Sequence, residues 1–105
     1  MIDIEEKEER TIVRPTFDVV ANRVGEIRDA ILNISARGGR HVVLDLSRVK
    51  VVDSMGIGVV VACLKTLKQR GGDLQVYTDN EDLIKLFSVL KLDYVLVGSP
   101  TGGTK

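Results

Sequence analysis

The sequence predicts an α/β fold: one domain with a mixed central β-sheet and amphipathic helices packed on it. Three observations carry this expectation. Val42 to Leu46 is an apolar run broken only by Asp45, the pattern of a central strand covered on both faces. Val20, Val24, Ile27, Ile31 and Ile34 recur at spacings of four and three, which traces one buried stripe of a helix. A second helical pattern, the apolar segment Leu74 to Tyr77 and a third helical pattern then continue the alternation. Strands joined through helices run mainly parallel, so only the opening hairpin is expected to be antiparallel.

Each element has its own signal. Ile2 and Ile4 alternate with charge as in an edge strand, and Thr11 to Arg14 forms a second strand after a charged turn near Lys7 to Glu9. Pro15 has no N–H for a ladder, so that strand ends there or runs along an edge. Asp18 is the expected N-cap of the first helix, with Asn22 as the fallback, and Gly38-Gly39 stops it. Val51-Val52 is a short apolar touch that pairs at the end of the sheet. From Ser54 to about Arg70, residues Ile57, Val60, Val61, Leu64 and Leu67 mark a second helix, closed by Gly71-Gly72. Its β-branched residues lower its propensity, so burial must hold it. Asn80 caps a third helix with Glu81 and Asp82 in its first turn, and Leu83, Ile84, Leu86, Phe87 and Leu90 form its buried face. Tyr94 to Val97 either adds a last short strand or packs as a closing segment. The domain is expected over 1–97, with 98–105 as a flexible tail.

Composition excludes several function classes. A chain of 105 residues supports one core, and 44% hydrophobic with 29% charged residues fits a globular protein. Fifteen basic and fifteen acidic side chains cancel, leaving no field to hold nucleic acid or an anionic membrane. No apolar run approaches the ~20 residues that cross a bilayer, and no signal-peptide pattern opens the chain. The single Cys63 rules out an internal disulfide or a cysteine-rich zinc site, and the single His41 removes most metal and triad chemistry. A cytoplasmic, reducing compartment is the expectation, with no cofactor and no metal.

The segment Val42 to Val61 holds the chemistry. Asp45, Ser47, Asp53 and Ser54 interrupt an otherwise apolar stretch, with Arg48 and Lys50 in the intervening loop. Gly56-Ile57-Gly58 lacks the third glycine and the Lys-Ser/Thr of a nucleotide loop, and Ser54 follows Asp53 rather than the glycine of a hydrolase elbow. Asp45 and Asp53 lack the early acidic pair that a phospho-aspartate receiver needs. Asp45 is expected to satisfy loop N–H groups, and Cys63 to be a packed or half-exposed small residue. Ser54, at the mouth of a helix, is either a simple N-cap or a phosphate acceptor, since helix N-termini stabilise anions. Gly56 and Gly58 bare the backbone there and let another protein's active site approach.

Leu44-Asp45-Leu46-Ser47 followed by Asp53-Ser54-Met55-Gly56-Ile57-Gly58-Val59 resembles the hallmark of the STAS family, the anti-sigma factor antagonists. The likeness continues through Gly71-Gly72, Leu74-Gln75-Val76, Leu86-Phe87 and Leu92-Asp93, and Pro15-Thr16-Phe17-Asp18 stands where the family has Gly-x-Leu-Asp. The resemblance implies a single STAS-type domain that is not an enzyme. It implies that Ser54 is phosphorylated by a partner anti-sigma factor serine kinase and that a serine phosphatase reverses this. The unphosphorylated form would capture the kinase and free a sigma factor. Asp18, Asp53, Ser54, Met55, Gly56 and Ile57 are the implied partner-binding residues. A signalling scaffold or the cytosolic subunit of a transport complex is the alternative, with a small α/β enzyme behind it. Two departures stand out: Pro15 replaces the usual glycine, and Met55 exceeds the small residue common after the phosphoserine.

Overall fold

The computed structural model describes residues 1–100. Strands β1 (Ile2–Lys7), β2 (Arg10–Pro15), β3 (His41–Asp45) and β4 (Asp73–Tyr77) alternate with helices α1 (Val24–Ala36), α2 (Ser54–Gln69) and α3 (Glu81–Val89). A 3₁₀ turn, Asp93–Val95, follows. The sheet order is β1-β2-β3-β4. The β1–β2 pair is antiparallel, while β2–β3 and β3–β4 are parallel, as the helical connections require. This is the expected mixed sheet.

Register separates its two faces. Val13, Leu44 and Val76 align, as do Thr11, Val42 and Leu74. The apolar members of these rows join one core with Val24, Ile27 and Ile31 of α1, Val60, Cys63, Leu64 and Leu67 of α2, and Leu83 and Phe87 of α3. The opposite face carries the row Glu5-Ile12-Val43-Gln75 and, at the end of the sheet, the pairs Asp3-Arg14 and Asp45-Tyr77. Ile12 and Val43 are buried there, outside the main core cluster. Pro15 is the last residue of β2 and falls beyond its ladder with β3, so its missing N–H costs the sheet nothing.

Helix ends show one device used three times. Gly39 N–H reaches Ile34 O, Gly72 N–H reaches Leu67 O, and Leu92 N–H reaches Phe87 O, each six-residue closure sealing a C-terminus. Gly38 and Gly71 supply the left-handed residue in two of them (φ 93° and 80°), but Lys91 supplies it in the third (φ 60°). That third stop had no glycine to announce it. Asn80 caps α3 as expected, through Asp82 N–H and Leu83 N–H.

Two expectations need correction. Helix α1 starts at Val24, with Arg23 at its N-cap position and no side-chain cap, so neither Asp18 nor Asn22 caps it. Val20 instead lies in the preceding turn, accepting from Arg23 and Val24 N–H. Ile84 and Leu90 are exposed, since the buried stripe of the short α3 is Leu83 and Phe87, one turn apart. Of the two alternatives for Tyr94–Val97, the closing segment holds: it packs as the 3₁₀ turn with buried Val95, plus a single parallel bridge, Val76 to Leu96. The expected tail at 98–105 lies outside the described residues from 101 onward.

Candidate functional site

The site is a corner where two loops are stitched together, 17–21 before α1 and 46–53 before α2. Val19 donates to Val51 O and accepts from Asp53 N–H (3.0 and 3.2 Å), which gives the expected short pairing of Val51-Val52 a partner in Val19. Two carboxylates reinforce the seam from opposite sides. Asp18 Oδ1 accepts from the N–H groups of Lys50 and Val51 (2.9 and 3.2 Å). Asp53 Oδ2 accepts from Ala21 N–H at 3.0 Å, while its Oδ1 accepts from Gly56 N–H at 2.9 Å. Each aspartate therefore holds the loop that carries the other.

This settles the capping question. Asp53 is extended (φ −90°, ψ −176°) and caps α2 through Gly56 N–H. Ser54 is the first helical residue, not the N-cap. Among the described residues its exposed hydroxyl has no hydrogen-bond partner, and the N–H groups of Ser54 and Met55 have no acceptor. The corner thus presents a free hydroxyl beside two open donors at the positive end of a sixteen-residue helix.

The remaining candidates divide by exposure. Met55 is 56% exposed and stands beside the hydroxyl. Gly56 is buried: a methyl at its Cα would drive into the Val19 carbonyl and the Val52 side chain. The opening expected from two small residues therefore comes from Gly58, where a methyl meets nothing. Ile57 packs partly against the core. Asp45 accepts from Ser47 N–H at 2.9 Å, as expected, and also from Arg14 Nε at 2.8 Å. That hydrogen bond raises the Arg14 guanidinium above its usual range. Cys63 is fully packed, and burial pushes its thiol up to about 11, so it is inert. Near the corner, the Arg23 guanidinium lies 3.8 Å from the Phe17 ring centroid and donates to Glu26 at 2.6 Å, which lowers that carboxyl below its usual range. Arg14 had no sequence signal, because its partner Asp45 comes from tertiary pairing, whereas Arg23 had a local one in Glu26 three residues on.

The family model of the STAS domain matches residues 1–102. The chain belongs to the STAS domain family. It is 29% identical over 98 residues to an anti-sigma-B factor antagonist of Listeria monocytogenes, covering 90% of this chain and 86% of that protein. A Bacillus subtilis anti-sigma-B factor antagonist is 30% identical over 87 residues, covering 75% and 79%. Among solved structures, the anti-sigma factor antagonist SpoIIAA in its unphosphorylated form superposes with a TM-score of 0.81 at 19% identity, covering 94% of this chain and 88% of that one. Its phosphorylated form, described as a Bacillus cell fate determinant, gives 0.75 at 19% identity over 94% and 91%. Among the described residues, no helix of this STAS domain is long and apolar enough to cross a membrane, and no cluster of histidine, cysteine or acidic side chains has metal-site geometry.

Proposed function

We propose that this STAS domain is an anti-sigma factor antagonist acting in the cytoplasm, switched by phosphorylation of Ser54. In its unphosphorylated form it binds an anti-sigma factor that is also a serine kinase, and so frees a sigma factor. The kinase transfers the γ-phosphoryl group of ATP to Ser54 Oγ, and a serine phosphatase returns the hydroxyl. The chemistry belongs to the partners; this chain supplies the acceptor.

One observation carries the reading: Asp53 takes the capping duty, which leaves the Ser54 hydroxyl exposed and unengaged. The relatives named as anti-sigma-B factor antagonists support the partner class. A phosphoserine brings about −1.5 to −2 charges and three acceptor oxygens. The open N–H groups of Ser54 and Met55 suit those oxygens, so the domain stays folded while the surface gains negative charge. With Asp53 adjacent, that added charge repels an acidic partner surface and is costly to bury against an apolar one.

The test is incubation of the full chain with ATP and an anti-sigma factor kinase encoded beside its gene, followed by intact mass measurement. A gain of one phosphate, absent in Ser54→Ala, is expected. Ser54→Ala should bind the kinase as the unmodified protein does, and Ser54→Asp at least tenfold more weakly. No phosphate uptake, together with equal affinity for the two variants, would remove the switch and leave a scaffold or transport-complex role.

A further inference from the structure

The exposed side of α2 is chemically unlike the rest of the surface. Ser54, Gly58, Val61, Lys65 and Lys68 follow one another at spacings of four and three, so they form a single stripe, and all five are exposed. The chain as a whole balances fifteen basic against fifteen acidic residues, yet α2 contains no acid in sixteen positions and its only charges are Lys65 and Lys68. By contrast α1 carries Glu26 and Asp29, and α3 carries Glu81 and Asp82. Lys68 in the last turn complements the helix dipole, but Lys65 lies outside that turn. Among the described residues neither lysine has an ion-pair partner.

The lower half of this stripe borders a groove. Val61, Leu64, Lys65, Lys68 and Gln69 form one wall, and Tyr94 of the 3₁₀ turn forms the other, around a volume of about 440 Å³. Its lining is largely apolar, with Val61 40% and Tyr94 62% exposed, and Lys65 and Lys68 are its charged members. A single exposed valine or tyrosine is ordinary on a protein surface. A tyrosine facing an apolar cleft, beside two lysines with no acidic partner among the described residues, is the anatomy of an anchor pocket for a partner. From Ser54 to Lys65 the helix rises roughly 16 Å. An interface of ordinary size covers about 800 Å² on each side, a patch roughly 30 Å across. A protein that docks along this helix face while holding Ser54 therefore reaches the groove.

We propose that the groove between α2 and the 3₁₀ turn is the anchoring half of the kinase interface. Its occupant is a segment of the partner kinase that presents an apolar side chain flanked by carboxylates. The apolar group fills the cleft beside Val61 and Tyr94, and the carboxylates meet Lys65 and Lys68. This rests on the reading of Ser54 as the phosphate acceptor and adds a second point of contact remote from it. The separation exceeds the screening length of about 8 Å at physiological salt, so the two contacts act independently. The groove sets how tightly the partner is held, while Ser54 sets whether it is released.

The experiment measures kinase binding and phosphorylation rate for the full chain, for Lys65→Glu/Lys68→Glu, and for Tyr94→Ser, with the kinase described above. Both sets of changes lie at exposed positions, and circular dichroism with thermal melting confirms that the variants are folded. The charge reversal is expected to raise KM for phosphorylation about tenfold with kcat unchanged, and to flatten the salt dependence of binding. It should weaken binding by the same factor in the Ser54→Asp background. Tyr94→Ser should raise KM several-fold without altering the salt dependence. Unchanged KM in both variants, with wild type still phosphorylated at Ser54, overturns the groove and leaves the acceptor intact. Absence of phosphate on wild type defeats the acceptor reading itself. A concentration-dependent dimer in sedimentation that the charge reversal dissolves would make a second copy of this chain the occupant and overturn the proposal.

Discussion

The corner before α2 and the β1–β2 hairpin are both loop-bearing regions at the surface, and they are held by opposite means. In the corner, Asp18 and Asp53 place four side-chain hydrogen bonds on backbone N–H groups, all directional and between 2.9 and 3.2 Å. Along the edge strand β1 the side-chain contacts are instead ion pairs open to solvent: Glu5 with Arg14 at 3.7 Å and Asp3 with Arg48 at 3.2 Å. The hairpin turn puts Glu8 and Glu9 in the left-handed region (φ 50° and 68°), where side chains other than glycine or asparagine are strained. Fixed geometry is found where the Ser54 hydroxyl is left exposed. Screened charge is found where an edge strand needs only to stay solvated and unpaired.

That contrast breaks first at Gly56. Gly56→Ala should destabilise the domain by about 2–3 kcal/mol in chemical denaturation, because the methyl must displace a Val19 carbonyl already bonded to Asp53. Gly58→Ala, two residues along the same helix but in open space, should instead stabilise by roughly 0.5–1 kcal/mol. If both changes have the same sign, the close approach at Val19 is not what holds the corner.

Asp53→Ala removes the cap and the acceptor for Ala21 N–H together, and a loss of about 2 kcal/mol is expected. Asp53→Asn keeps one acceptor oxygen and should recover about half of that. Hydrogen exchange at Ala21 and Gly56 reads the two bonds separately: Asn should leave one amide protected and expose the other.

The hairpin should respond in the other direction. Replacing Glu8-Glu9 by Asn-Gly suits a two-residue turn with both φ positive and should raise stability by about 1 kcal/mol. A loss of stability would mean that the turn is held by more than its backbone conformation. Smallest of all, Arg48→Ala should shift the melting free energy by less than about 0.5 kcal/mol, and less still at high salt. A larger effect would show the Asp3 pair to be structural rather than solvated.

Much of this was legible in the sequence. The apolar run of β3, the stripes of α1 and α2 and the paired glycines at their ends are local signals, so the mixed sheet followed from them. The Asp-Ser-x-Gly segment marked where α2 opens. Other features have no local signal. Lys91 ends α3 in a conformation usually left to glycine, and tertiary packing of Leu92 overrides its preference. Asp18 reads as a helix cap because it is cap-competent just before an apolar stripe, yet its carboxylate is claimed by a loop more than thirty residues away. The charged partner of buried Asp45 is likewise Arg14, brought beside it only by strand register.

By itself, the sequence determined that a helix opens at Asp53-Ser54 and pointed to Ser54 as its cap, although an aspartate caps equally well, because capping propensity acts within a single turn. Only the tertiary structure decided between them. Ala21 N–H, which lies 32 residues earlier, takes the second oxygen of Asp53 once the loops close. An aspartate bonded at both oxygens is held in the capping position, and the serine beside it is left exposed.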